Sequence, residues 1–310
     1  MKVLVMGSGG VGGYYGAVLH RGGHDVTFVA RGDHLDAIQK DGLRVESVGS
    51  GNFTIRPAVT NKPDSSHAAD LVLFCVKGYD NDGAIPLMAP AVAAHTSILT
   101  LQNGIGSGDV LAQAFGVEKV LLGATYIDAE KTAPGVVAET GRVREIVFGA
   151  ESGDRNDKTV AVRDSLVSAG VDVDLTDTVA SELWAKLIYI CALSGMMCIT
   201  RGTFPEILAS PGTEQMTWDA MREVEAVAEA RGIALRPQVV EQTMERFRQV
   251  KANGISSMYV DLQRGGPLEV GVLNGAVSRF AKEISVATPI NDFIAACLTI
   301  AHDRAMKSRG

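Results

Sequence analysis

The residues able to do chemistry begin at the sixth peptide bond. Gly7-Ser8-Gly9-Gly10-Val11-Gly12 spells G-x-G-x-x-G directly after the apolar run Val3–Met6 and ahead of a helical pattern reaching His20. In that setting each glycine answers a separate need. Gly7 permits the tight turn, Gly9 removes a Cβ so that backbone can approach a pyrophosphate, and Gly12 lets helix and strand pack closely. The helix N-terminus adds free N–H groups and the positive end of its dipole. The string predicts a dinucleotide loop. A flavin would use the same loop, and a glycine-rich turn without ligand is the bland alternative. The next strand ends in Val29-Ala30-Arg31-Gly32, with no acid to hold a ribose 2′-hydroxyl. A guanidinium there suits a 2′-phosphate through paired charge-assisted hydrogen bonds, so Arg31 predicts NADP over NAD unless it is a solvated surface arginine.

Four further residues are candidates for the reaction itself. Lys77 and Asn103 follow the apolar runs Leu71–Val76 and Ile98–Leu101, and ligands of open parallel sheets bind beyond the carboxyl ends of strands. A surface lysine and a left-handed turn residue before Gly104 are the alternatives. Lys186 heads the long apolar stretch Leu187–Thr200 in Leu183-Trp184-Ala185-Lys186-Leu187. Either it snorkels to the surface, or it is an ammonium that stabilises and protonates an alkoxide formed from a ketone. Glu269, after Gly265-Gly266-Pro267-Leu268, reads as a functional acid or as a carboxylate favoured at a helix N-terminus. Ser256 and Ser257 are plain N-cap candidates. The histidines at 20, 24, 34, 67, 95 and 302 show no metal-ligand spacing, and neither a metal site nor any other role is assigned to them.

The elements that position these residues follow from periodicity. Val3–Met6, Val26–Ala30, Leu71–Val76 and Ile98–Leu101 are apolar throughout, as parallel strands covered on both faces are. Their alternation with helical patterns predicts an α/β chain built on a doubly wound sheet. Val120–Tyr126, Val136–Thr140, Glu145–Phe148 and Val171–Leu175 extend or flank it. Beyond residue 176 the pattern becomes helical: Ala180–Met197, Thr213–Arg231, Pro237–Ala252 opened by its proline, Ser256–Arg264, Val272–Ile284, and a last helix from the Thr288-Pro289 cap to Lys307.

Composition sets the outer bounds. The 310 residues suggest two domains, read here as 1–176 and 177–310. Twenty-nine Lys and Arg against 36 Asp and Glu give a net charge of −7, which argues against a dedicated nucleic-acid binder. Cys75, Cys191, Cys198 and Cys297 lie in apolar runs without a CxxC pair and read as four reduced core thiols. The apolar stretch before Arg201 is short of the ~20 residues that cross a bilayer, so a buried helix in a cytoplasmic protein is expected.

The set Gly7–Gly12, Arg31, Lys77, Gln102-Asn103-Gly104, Leu183–Leu187, Asn253-x-x-Ser256-Ser257-Met258-x-x-Asp261, Glu269 and Leu273-Asn274-Gly275 resembles the ketopantoate reductase (2-dehydropantoate 2-reductase) family in order and spacing over essentially the whole chain. The resemblance implies an N-terminal Rossmann-type domain binding NADPH. It also implies an all-α C-terminal domain like that of 6-phosphogluconate dehydrogenase, with the active site in the cleft between them. It implies reduction of a small 2-oxo acid to the 2-hydroxy acid, foremost 2-dehydropantoate to pantoate in pantothenate biosynthesis. Lys186 matches the family's proton donor and Glu269 a glutamate beside substrate and nicotinamide. Asn103 matches an asparagine shared by cofactor and substrate, Lys77 a cofactor contact, and Asn253 and Ser256 polar residues of the substrate site. A looser alignment through Gly123 places Ala129 against the cofactor. A homodimer is compatible with the sequence, which does not set the oligomeric state.

The chain also departs from the family. Family members carry asparagines four and eight residues after the lysine, where this chain has Ile190 and Ser194. Their Asn-Pro is replaced by Ser194-Gly195, and Gly271 stands where an acid is usual. Such losses change substrate discrimination, so a reductase of a different oxo acid is the alternative. A non-catalytic NADP-binding sensor would have lost Lys186, Glu269 and Asn103 together, and all three are present.

Overall fold

The structure, a computed structural model, describes residues 1–251 and 254–309. Its chain divides into two compact units, Met1–Gln102 with Ser107–Val179, and Asn103–Gly106 with the chain from Ala180 onward.

The first unit is built on one ten-stranded sheet. Its strands are β1 (Lys2–Met6), β2 (Asp25–Val29), β3 (Leu43–Ser47), β4 (Phe53–Ile55), β5 (Ala58–Thr60), β6 (Leu71–Phe74), β7 (Ser97–Thr100), β8 (Val120–Ala133), β9 (Val136–Ala150) and β10 (Asp172–Leu175). Six of them run parallel in the order β5-β2-β1-β6-β7-β8. This is the doubly wound arrangement, whose order reverses between β1 and β6. The all-apolar runs are its centre: every residue of β6 and β7 is buried. β9 then pairs antiparallel with β8 and carries β3 and β10 alongside it, which makes the whole sheet mixed.

Two features of this sheet differ from expectation. The three separate segments expected between residues 120 and 148 are one long hairpin. A polar run, Asp128–Thr132, looks like a turn but continues β8 through a register shift between Ile127 and Ala129. Gly141 packs against Asp128 at that irregularity, so this glycine marks a bulge and not a chain reversal. The short strands β3, β4 and β5, of three to five residues, lack a continuous apolar run; β3 alternates buried Leu43 and Val45 with Arg44 and Glu46. Their stability comes from pairing, not from a strong run of their own.

The second unit contains helices Val179–Thr200, Phe204–Ala209, Pro211–Ala230, Val239–Arg248, Ser257–Gln263, Asn274–Glu283 and Pro289–Lys307, with a 3-10 turn at Glu269–Val272. Val179–Thr200 is long and apolar enough to cross a membrane by length and composition, and most of it is buried within the fold. Pro237 does not open its helix: Gln238 adopts a left-handed φ of 58° and the helix begins at Val239. The last helix starts where Thr288-Pro289 predicts, but its cap comes from elsewhere. Glu223 accepts from the N–H groups of Ile290 and Asn291 at 2.8 and 2.9 Å, a remote carboxylate at the positive end of the helix. Cys297 is exposed, not a core thiol, because Ile294 and Leu298 take the inward positions of that helix.

The glycine loop tests these contacts directly. A methyl on Gly10 would run into the Ala129 carbonyl, whereas nothing lies within 4 Å of the corresponding position on Gly9. Gly10→Ala is therefore expected to destabilise the first unit by about 1–3 kcal/mol, the usual cost of overpacking, and Gly9→Ala to leave stability unchanged. Urea unfolding of the two variants checks this.

Candidate active site

In the first unit the loop after β1 has the form a dinucleotide requires. Gly7 has φ +100°, and a Cβ there would lie 2.7 Å from the Val76 nitrogen. A Cβ on Gly12 would strike the Gly7 carbonyl and come within 3.0 Å of Val5, so the third glycine does bring helix and strand together. Beside Gly9 lies open space, the cradle that a pyrophosphate would fill. The helix Gly10–Arg21 carries no acid in its first turn, which leaves its N-terminus favourable to an anion. Ser8 is buried and Val11 half-buried.

Arg31 caps the helix Gly32–Asp41 and is 75% exposed, with its guanidinium 3.3 Å from Asp80. Lys77 precedes the 3-10 turn Gly78–Asp80, and its carbonyl accepts from the Asp80 N–H at 2.8 Å. Since β1 lies between β6 and β2, Arg31 and the Lys77–Asp80 turn stand on either side of the glycine loop. Gln102 braces that turn by donating to the Val76 carbonyl at 2.8 Å and to Asn81 Oδ1 at 2.7 Å. Ala129 of β8 lies over Gly10. His34, which carried no sequence signal beyond its type, is buried beside the loop with its Nε2 2.8 Å from the Ser8 carbonyl.

The second unit brings Lys186, Asn103 and Glu269 together. Lys186 Nζ donates to Asn103 Oδ1 at 2.9 Å. Burial pulls the ammonium down to about 8, and the Glu269 carboxylate opposes that fall. Each partner is held by backbone. Gly104, not Asn103, takes the left-handed conformation, with φ +85°. The glycine passes directly against the Val272 carbonyl, where a side chain would not fit, and that carbonyl accepts from the Ile105 N–H at 3.1 Å. The loop bearing Asn103 is thus fastened to the 3-10 turn that bears Glu269. Glu269 itself is 4% exposed, and the preceding Leu268 N–H donates to His302 Nδ1 at 3.1 Å. His302 is a second histidine whose part was invisible in the sequence, since its partner is a main-chain group 34 residues away.

The remaining candidates are less closely joined. Ile190 and Ser194 stand one and two turns along the helix from Lys186. Ile190 is partly buried; Ser194 is 1% exposed and its hydroxyl has no partner among the described residues. Ser256 is the N-cap of Ser257–Gln263 and accepts from the Tyr259 N–H at 3.2 Å, so the capping alternative holds for it. Asn253 lies outside the described residues. Asn274 of the Leu273-Asn274-Gly275 motif donates to the Cys191 carbonyl at 3.3 Å and to Asn291 at 2.9 Å, pinning the lysine helix to the last one.

Comparison with known proteins covers both units. The family model described as ketopantoate reductase PanE/ApbA matches residues 3–153, and the one described as ketopantoate reductase PanE/ApbA C terminal matches residues 178–301. A 2-dehydropantoate 2-reductase of Halobacterium salinarum is 32% identical over 94% of this chain and 95% of its own. One from Mesorhizobium japonicum is 29% identical over 96% of each. The crystal structure of a PanE/ApbA family ketopantoate reductase from Ralstonia eutropha JMP134 superposes with a TM-score of 0.90 at 34% identity, covering 99% of this chain and 100% of that one.

The electrostatics of the lysine can be tested without any substrate. Glu269→Gln removes the charge that supports the ammonium, so Lys186 is expected to titrate below the value of about 8 that it has beside Glu269. Measured as amine labelling of Lys186 against pH, the variant should react faster at neutral pH. An unchanged titration would remove Glu269 from the lysine's surroundings.

Proposed function

The chain belongs to the ketopantoate reductase family, and on that premise we propose that this oxidoreductase uses NADPH to reduce a small 2-oxo acid to the 2-hydroxy acid, with 2-dehydropantoate as first candidate. The observation that carries the reading is the Lys186–Asn103 hydrogen bond with Glu269 alongside. This arrangement supports Lys186 as the proton donor, since its ammonium is already held by Asn103.

On this reading residues 1–176 bind the cofactor and residues 177–310 the substrate, with Asn103 serving both. Residues 7–12 would take the pyrophosphate on their N–H groups, and Arg31 the 2′-phosphate. Lys77, Ala129, Asn103 and Glu269 would contact the rest. The dihydronicotinamide supplies the hydride when bound. Lys186 stabilises the negative charge that develops on the carbonyl oxygen and then gives that oxygen its proton. With its pKa near 8 it is protonated at neutral pH yet not so strongly that the transfer is slow. Asn103 accepts one of the three ammonium N–H groups and so directs the other two. Ser256, whose oxygen serves as a cap, keeps its own O–H to donate to substrate, and Asn253 is proposed as a further substrate contact.

Ile190 favours a second reading of the substrate. One turn from Lys186 it offers methyl groups where an amide would hold a hydroxyl, and the Ser194 hydroxyl is buried further along. A 2-oxo acid with an apolar substituent fits such a wall better than one with a 4-hydroxyl.

A panel of 2-oxo acids, assayed by oxidation of NADPH, tests the function and separates the two substrates. Lys186→Ala is expected to lower kcat by ~10²–10⁴, the size of a general-acid contribution, with little change in NADPH binding. In the wild type the protonated lysine predominates below about 8, so kcat should fall as pH rises through that value. A rate level to high pH would exclude Lys186 as donor.

Cofactor choice is tested at Arg31. Arg31→Ala should raise KM for NADPH roughly 10- to 150-fold relative to NADH, the range of a charge-assisted contact. Equal affinity of the wild type for both cofactors would remove the NADPH assignment.

A further inference from the structure

We propose that His34 is a positioning residue of the dinucleotide loop, tying it to the β8–β9 hairpin and thereby setting cofactor affinity. The inference rests on the dinucleotide reading of residues 7–12 given above, and concerns a residue that takes no part in the reaction.

His34 sits in the helix Gly32–Asp41 and is 7% exposed. Its two ring nitrogens have different partners on different elements. Nε2 lies 2.8 Å from the carbonyl oxygen of Ser8. A carbonyl only accepts, so Nε2 carries the proton. Nδ1 receives the N–H of Gly135 at 2.9 Å, so it must be bare. The two bonds together specify one neutral tautomer. Burial lowers the pKa of the ring against the opposing Ser8 bond, and Lys131 of β8 adds to the lowering, so the net shift favours the neutral form.

What this ring holds is the geometry of the loop. The Ser8–Gly9 peptide is planar, with its C=O and N–H on opposite sides. Anchoring the Ser8 carbonyl on His34 turns the Gly9 N–H away from the helix Gly32–Asp41 and prevents the peptide from rotating. Gly9 is the loop residue whose would-be Cβ position has nothing within 4 Å, the side on which a pyrophosphate would sit. The other end of the bridge is the hairpin turn. Gly135 has φ +72°, and a Cβ on it would come within 3.0 Å of Ala37, so the turn packs on the helix that carries His34. The hairpin reaches the loop again where Ala129 lies over Gly10. The loop is therefore braced at two successive stretches by one hairpin, and His34 supplies the side-chain link. A loop already fixed in its binding form loses less entropy when the ligand arrives.

The experiment is a fluorescence titration of NADPH into the wild type, His34→Ala and His34→Gln, with kcat measured at saturating cofactor. His34→Ala should raise Kd about tenfold, in keeping with loss of a buried hydrogen-bonded bridge, and leave kcat within about twofold. His34→Gln should recover most of the affinity, because its planar amide also offers one donor and one acceptor. Wild-type affinity in His34→Ala, or a kcat that falls in step with affinity, overturns the proposal. Failure of the wild type to bind any dinucleotide overturns the reading it rests on instead. Amide exchange in the wild type gives a readout that needs no variant: the Gly135 N–H should be protected without cofactor, and rapid exchange there would sink the bridge.

Discussion

A buried ammonium has to be compensated, and much of the second unit serves that requirement. Lys186 has lost enough water to bring its pKa down to about 8, and an isolated charge in such a place would shed its proton. It keeps the proton because two groups distant in sequence are delivered to it. Asn103 comes on a four-residue segment that clusters with the helical unit although the chain on both sides belongs to the other. Glu269 comes on a single 3-10 turn. Neither could be placed by a flexible loop. The contact of Gly104 with the Val272 carbonyl and the hydrogen bond from Leu268 to His302 turn two loops into one support.

The first unit solves a different problem with similar means. The pyrophosphate site proposed for residues 7–12 would be made of backbone N–H groups with no side chains to adjust, so its accuracy would depend on what packs around it. Here the packing is unusually close: Gly7 lies against the start of the β6 turn, Gly12 against Gly7 and Val5, and Gly10 against Ala129. At Gly7, Gly10 and Gly12 another main chain or a strand side chain occupies the place of a Cβ, whereas at Gly9 that place is open, the side proposed for the ligand. The β8–β9 hairpin thus has a purpose beyond extending the sheet, since it forms one wall of the loop.

This division explains what the sequence made legible. The central strands and the long helices were readable because each is specified by its own apolar run, buried on two faces or nearly all round. Lys186, Asn103 and Glu269 stood out as candidates by type and position, although each also had a plain structural reading, and only the fold shows that the three come together. Contacts made across the chain were not readable. The Glu223 cap on the last helix and the two histidines depend on partners tens of residues away, and nothing local distinguishes them. His34 looks like any polar residue near a helix start, and only the carbonyl of Ser8 and the amide of Gly135 give it a role.

The same division bears on selectivity. The parts proposed to move the proton are held by main-chain contacts, where even a methyl group would not fit at Gly104. Such positions admit little change without losing the site. Ile190 and Ser194 differ in kind: they project from a regular helix whose backbone bonds do not depend on their identity. On the proposed reading, a methyl-bearing side chain at position 190 in place of an amide would alter which hydroxyls a neighbouring ligand can satisfy. A site built to hydrogen-bond a substrate group rejects an analogue lacking it much more strongly than an apolar wall rejects a small change in size. If Ile190 faces the proposed pocket, that strict rejection would be given up, and preference among oxo acids would rest on shape and burial.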